Sequence, residues 1–98
     1  MQTRFEWDSA KARSNLRKHG VSFDDAILVF ADPFALMVQD RIEGTQARWQ
    51  TLGSVGGFLL LLVAHTIGRD DEGTELVRII SARAADRKER KRYEEQSR

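Results

Sequence analysis

Phe58-Leu59-Leu60-Leu61-Leu62-Val63-Ala64-His65-Thr66 is the stretch on which the fold turns. Its first seven residues are all apolar. That is far below the roughly 20 a membrane-spanning helix needs. A strand with one wet face would alternate, whereas this one is apolar at odd and even positions alike. It therefore predicts a strand buried on both sides, in the middle of a sheet. Working outward, the period stays at two. Upstream, Gly53-Ser54-Val55-Gly56-Gly57 is a turn that leads back to a strand over 47–52. Glu43-Gly44-Thr45 forms another turn, and before it Phe34, Leu36 and Val38 alternate up to Asp40. Downstream, a polar loop over 67–73 leads to a last strand over 75–82. Short connections between successive strands predict an antiparallel meander of about four strands.

The flanks read as helical. Phe5-Glu6-Trp7 is an edge strand or a lead-in, and Asp8 can cap a helix over 9–18 by accepting from free N–H groups of its first turn. Gly20 closes that helix, with Lys18 and His19 where the negative helix end favours cations. Ser22 caps a second helix, in which Phe23, Ala26, Ile27 and Phe30 make one apolar stripe and Asp32-Pro33 is the stop. From Arg83 the chain turns highly charged, with Ala85, Glu89 and Tyr93 in line on a thin face. The expectation is an α+β fold in a single domain over 1–98: two N-terminal helices, an antiparallel sheet and a C-terminal helix.

Composition narrows the function classes. The 98 residues include 16 Lys+Arg and 15 Asp+Glu, a net charge of +1, so the chain is no general polyanion binder. There is no cysteine, which excludes a disulfide scaffold, a thiolate metal site and a thiol nucleophile. The first residues carry no apolar signal core, and the expectation is a cytoplasmic protein without a membrane segment. The near-zero charge is unevenly spread. Residues 1–23 hold five basic and two acidic side chains, 24–47 one and five, and 83–98 seven and four. Basic ends around an acidic middle suit a polyanion on one face or a charge match with another protein.

Neither histidine, His19 or His65, has a second ligand at helical zinc spacing, and Asp70-Asp71-Glu72-Gly73 lacks the alternation of a calcium loop. The glycine-rich segment 53–57 feeds a strand, so a hairpin turn explains it better than a phosphate cradle. No metal and no cofactor are expected. What remains is a set of basic groups on or beside strands, Arg48, Arg78 and Arg83, together with Lys18, His19, His65 and Tyr93. Per residue, the bland readings weigh more. Strand arginines pair with acidic neighbours such as Glu75 or Asp40, His65 is a hydrogen-bonded histidine at a strand end, and Tyr93 is a core contact of the last helix.

Taken together, several segments resemble one family. They are Phe5-Glu6-Trp7-Asp8, Lys11-Ala12, Asn15, Lys18-His19-Gly20-Val21-Ser22-Phe23, Ala26, Val29-Phe30 and Asp32-Pro33 in the first half. In the second half they are Arg48, Gly53, His65-Thr66, Arg78-Ile79-Ile80-Ser81-Ala82-Arg83, Ala85, Glu89-Arg90 and Tyr93-Glu94. In order and spacing these resemble the BrnT toxins over nearly the whole chain. The resemblance implies a RelE-like fold and ribonuclease activity that inhibits translation, as the toxin of a type II toxin–antitoxin module. It also implies a BrnA-type antitoxin partner, which carries the operator-binding domain through which the pair represses its operon. The loop over 67–74 departs from the family by being longer and more acidic.

The chemistry can be argued from the residues. Metal-free RNA cleavage sends a 2′-hydroxyl onto the adjacent phosphate, and it needs a base, an acid and cations around the crowded phosphorus. Arginine suits the cation role, because its planar fork binds two phosphate oxygens. On this reading Arg78 and Arg83 hold the scissile phosphate, Arg48 and Lys18 hold neighbouring backbone, and one of His19, His65 and Tyr93 moves protons. Two readings compete. One is a non-catalytic nucleic-acid-binding or repressor-complex module, and the other is a toxin of the same fold that poisons a topoisomerase. Strand alternation adds a constraint: five residues apart on a straight strand, Arg78 and Arg83 would face opposite sides.

Overall fold

The computed structural model describes residues 2–96. Its elements in chain order are β1 (Thr3–Glu6), α1 (Ser9–His19), α2 (Phe23–Ala26), a 3-10 turn (Ile27–Ala31), β2 (Leu36–Glu43), β3 (Gln46–Val55), β4 (Leu59–Arg69), β5 (Glu75–Ala84) and α3 (Arg87–Gln96). The five strands form one sheet in the order β1-β5-β4-β3-β2. The doubly apolar stretch, β4, sits in the middle. From β2 to β5 the strands make the expected antiparallel meander.

Two expectations are corrected. The sheet has five strands rather than four and is mixed, because β1 pairs in parallel with β5. The reading of Phe5-Glu6-Trp7 as an edge strand or a lead-in resolves to an edge strand over Thr3–Glu6, but nothing local marks its partner, which lies some seventy residues away. The second helix is a single α-turn that tightens into 3-10 geometry. β-branched Ile27 and Val29 favour α-helix weakly. The tightened turn also lays Val29 flat against β3, where a Cβ on Gly53 would lie 2.8 Å from the Val29 Cβ.

The caps agree with the sequence. Asp8 Oδ1 accepts from the backbone N–H groups of Ala10 and Lys11 at 2.8 and 3.2 Å. Those bonds hold the Asp8 carboxyl below its usual value. Gly20 takes φ +69° at the end of α1, a region other residues avoid. The acidic loop is a self-contained turn, in which Asp70 Oδ1 accepts from the N–H groups of Glu72 and Thr74, each at 2.9 Å.

The two faces of the sheet differ. On the inner face Leu61, Val63, Val77, Ile79 and Ala82 meet Val21, Phe23, Ala26 and Val29 from the helical side, forming the main core. Each such large side chain contributes about 1.5–3 kcal/mol by leaving water. Asn15 of α1 is buried beside this core. It donates to the carbonyls of Val21 and Ala82 at 3.0 and 2.8 Å and accepts from the Ala82 N–H at 3.1 Å. One amide thus satisfies the edge of β5 that faces away from β4, beyond the point where the pairing with β1 ends. On the outer face a smaller cluster, Leu52, Leu60 and Leu62, is covered by Leu36, Ala85 and Tyr93. α3 therefore covers one end of the outer face and leaves the rest open.

A bulge in β5 resolves the alternation constraint. Ala64 pairs with Ser81 but His65 pairs with Ile79, so Ile80 is an extra residue. Ile79 and Ala82, three apart, both face the inner core. Arg78 and Arg83, five apart, accordingly both face outward.

Candidate nucleic-acid interface

The register lines up a row of side chains across the open part of the outer face. Glu6 of β1 pairs with Arg78 of β5, and Arg78 pairs with Thr66 of β4. Carried one step past the Trp49–His65 pair, the β3–β4 register sets Arg48 beside Thr66. Arg48 in turn pairs with Arg41 of β2. The row thus runs Glu6, Arg78, Thr66, Arg48, Arg41. At about 4.8 Å between strands, Arg78 and Arg48 stand roughly 10 Å apart at the backbone, with Thr66 between them.

Each arginine of this face has a carboxylate partner. Arg78 Nη1 donates to Glu6 Oε2 at 2.8 Å, and both side chains are 46% exposed. Glu43 lies 2.9 Å from Arg41 Nη2 and 3.5 Å from Arg48 Nη1. Arg83 makes a two-pronged contact with Glu89, 2.9 Å on each side. These bonds raise the Arg83 pKa and lower that of Glu89. Strand arginines do pair with acidic neighbours, but the partners are Glu6, Glu43 and Glu89 rather than Glu75 or Asp40. Glu75 instead accepts from the Thr3 hydroxyl at 3.1 Å. Asp40 falls in the β2 bulge between Gln39 and Arg41.

The remaining candidates are dispersed. Lys18 and His19, both exposed at the end of α1, line a groove of about 200 Å³ with Ile80 and Ser81 of the β5 bulge. They flank the segment between Arg78 and Arg83. His65 is elsewhere. It is 0% exposed on the inner face, with Nε2 2.7 Å from the Thr51 hydroxyl, Nδ1 3.3 Å from the Thr66 carbonyl and its ring edge-on to Phe30. Burial pushes its pKa down, so a neutral imidazole sits in the core, away from the arginines.

Tyr93 anchors α3. Its hydroxyl donates to Asp32 Oδ2 at 2.5 Å, and the same carboxylate accepts from the N–H groups of Ser54 and Phe34 at 2.7 and 2.9 Å. Burial would raise the Asp32 carboxyl, but these three donors outweigh it and hold it low. Burial and the bond to Asp32 push the Tyr93 phenol up to about 12. Glu89, expected on the apolar face of α3, is instead half of a capping box. It accepts from the Asp86 N–H at 2.9 Å and donates its own N–H to Asp86 Oδ1 at 2.8 Å.

Sequence reasoning missed Glu6 and Arg41 as members of the face. Glu6 sits in a segment too short to be placed, and Arg41 lies beyond a bulge that breaks the alternation. The Asp86-x-x-Glu89 spacing was a readable signal for the α3 cap. Among the described residues, no group of three or more His, Asp or Glu side chains converges as a metal site, and no helix is long and apolar enough to cross a membrane.

The comparisons with known proteins bear on this geometry. The family model for the ribonuclease toxin BrnT of type II toxin–antitoxin systems matches residues 7–89. The chain belongs to the BrnT family. The matched span reaches from Trp7 to the Glu89 that grips Arg83, and so takes in Arg41, Arg48 and Arg78. Among solved structures, the 1.1 Å crystal structure of the Brucella abortus ribonuclease toxin BrnT is similar, with a TM-score of 0.68. The likeness covers 89% of this chain and 100% of that one at 24% identity, and it supports the BrnT fold. No curated protein matches the sequence. A BrnT-family chain is a ribonuclease toxin of a type II toxin–antitoxin system, which implies an antitoxin partner.

Proposed function

We propose that the chain cuts RNA on the open outer face of its sheet, by attack of the 2′-hydroxyl and without a metal ion, and so inhibits translation in the cytoplasm. The observation that carries this reading is the row of arginines set across three strands of one solvent-facing surface. A single RNA strand laid along the row meets Arg78 first, with Arg48 and Arg41 after it. Arg78 takes the scissile phosphate and Arg48 the neighbouring backbone. Each fork still has N–H groups free of its carboxylate, so a phosphate can be bound without breaking the ion pair.

Arg83 serves a different phosphate. At about 3.3 Å per residue it stands roughly 13–16 Å along β5 from Arg78, so the two forks span the substrate and do not share one phosphorus. Lys18 and His19, in the groove beside the β5 bulge, hold the strand between them. A BrnA-type antitoxin neutralises the toxin and, through its own operator-binding domain, represses the operon together with it.

The test is RNA cleavage by purified protein, alone and in a translating extract, with Arg78→Ala and Arg48→Ala beside the wild type. Loss of one phosphate-stabilising donor lowers cleavage by about 100-fold at Arg78. The loss is smaller at Arg48, and circular dichroism stays unchanged in both. A folded Arg78→Ala protein that cuts as well as wild type would end this reading of the face. RNA that is bound but never cut would favour a non-catalytic binding module.

A further inference from the structure

We infer that Glu6 is the general base of the cleavage, taking the proton from the attacking 2′-hydroxyl; this rests on the reading that the outer face cuts RNA. A metal-free cleavage needs a proton acceptor beside the cation that holds the phosphate. His65 is sealed in the core on the other side of the sheet, and His19 lies in the groove at Ile80 and Ser81 of the β5 bulge, outside the row that holds Arg78. The Tyr93 hydroxyl already donates to Asp32. Asp8 lies past the end of β1, outside the paired row, where its Oδ1 caps α1, and Glu89 has both oxygens on Arg83. Glu43 is shared by two arginines at the far edge of the sheet.

Glu6 differs from all of these. It sits in the row itself, paired in register with Arg78, and is half exposed on the open face. Arg78 Nη1 meets Oε2, and among the described residues no partner is found for Oε1. The arrangement divides the labour between two adjacent groups. The rest of the Arg78 fork can hold the phosphate, while Oε1 is in position to accept a proton next to it. The Arg78 charge keeps the carboxylate oriented and offsets its repulsion of the phosphate.

The step balances. The 2′-hydroxyl gives its proton to Glu6 Oε1 as its oxygen bonds to phosphorus. The bond from phosphorus to the 5′-oxygen breaks, and that oxygen takes a proton from water. The products are a 2′,3′-cyclic phosphate end and a 5′-hydroxyl end, and Glu6 later returns its proton to solvent.

The experiment measures kcat, KM and the pH–rate profile on a short RNA for wild type, Glu6→Gln and Glu6→Asp, with product ends analysed. Glutamine keeps an oxygen for Arg78 but cannot take a proton. Glu6→Gln is expected to lower kcat by about 100-fold or more, to change KM little, and to lose the acid limb of the profile. Glu6→Asp, with its carboxylate drawn back by one methylene, is expected to lose less of kcat and to keep that limb. A folded Glu6→Gln protein with wild-type kcat, or with the acid limb intact, overturns the inference while leaving the RNA reading in place. If glutamine prevents folding, the Glu6→Asp profile decides: an unchanged kcat overturns the inference and a lowered kcat with the limb retained supports it. Wild-type protein that leaves RNA intact under every condition overturns the RNA reading itself.

Discussion

The inner and outer faces of the sheet are built from alternate residues of the same strands, yet they treat polar groups in opposite ways. On the inner face each buried polar side chain is tied to a fixed neutral partner: Asn15 to the backbone of β5, His65 to Thr51 and Thr66. On the outer face the charged groups of the row are partly to half exposed and joined in exchangeable ion pairs. Buried groups without partners are expensive, so the inner set is committed to the fold. Exposed ion pairs contribute about 0–1 kcal/mol, so the outer set can be redirected to a ligand at little cost in stability. Substitutions on the two faces should therefore fail in different assays.

The sharpest break of this comparison is Asn15→Ala. It strips partners from three buried backbone groups, and about 3 kcal/mol of stability is expected to go. That corresponds to a melting temperature lower by roughly 12 °C or more, read by calorimetry. A drop of only a few degrees would mean that water replaces the amide. Gly53→Ala should cost about 1–3 kcal/mol by overpacking, because the new Cβ meets Val29 at 2.8 Å. An unchanged urea midpoint would show that the 3-10 turn can retreat.

Acidification should also weaken the inner face. Burial lowers the pKa of His65 in the folded state, so the unfolded chain binds the extra proton first. Stability is then full above the ordinary histidine value of about 6.5 and declines as the pH falls through it. Thermal melts from pH 8 to pH 5 should show the slope in wild type, and His65→Gln should flatten it. Tyr93→Phe should have the smallest effect, about 1 kcal/mol for the lost hydroxyl bond to Asp32, with RNA cleavage unchanged. A large loss of cleavage in a stable Tyr93→Phe protein would move Tyr93 from an anchor to a part of the site.

Much of this was legible locally. The caps at Asp8, Gly20 and Ser22, the stop at Asp32-Pro33 and the central β4 each follow from a few adjacent residues, because turn chemistry and hydropathy period act over short range. The bland reading of His65 is right about its hydrogen bonds but not its place, which is inside β4 rather than at a strand end. An edge strand at Phe5-Glu6-Trp7 was one of two readings, but its parallel pairing with β5 was not legible, since pairing across the length of the chain leaves no local trace. The tightening of α2 depends on the space left by Gly53. Glu89 was placed on an apolar face although its spacing from Asp86 marks a capping box, which is a misreading of a signal that was present.

The α+β class, the meander with β4 at its centre and the family all follow from the order of residues along the chain. The chain also supplies the arginines from which a phosphate-gripping surface could be made. Which of them share a surface depends on how the strands pair in the folded chain. One inserted residue, Ile80, reverses the alternation of β5 and turns Arg83 to the same side as Arg78. The return of the N-terminus to the sheet edge sets Glu6 against Arg78. A side chain's face depends on the parity of every residue before it in the strand, and a bulge or a distant pairing changes that parity without changing the residues themselves.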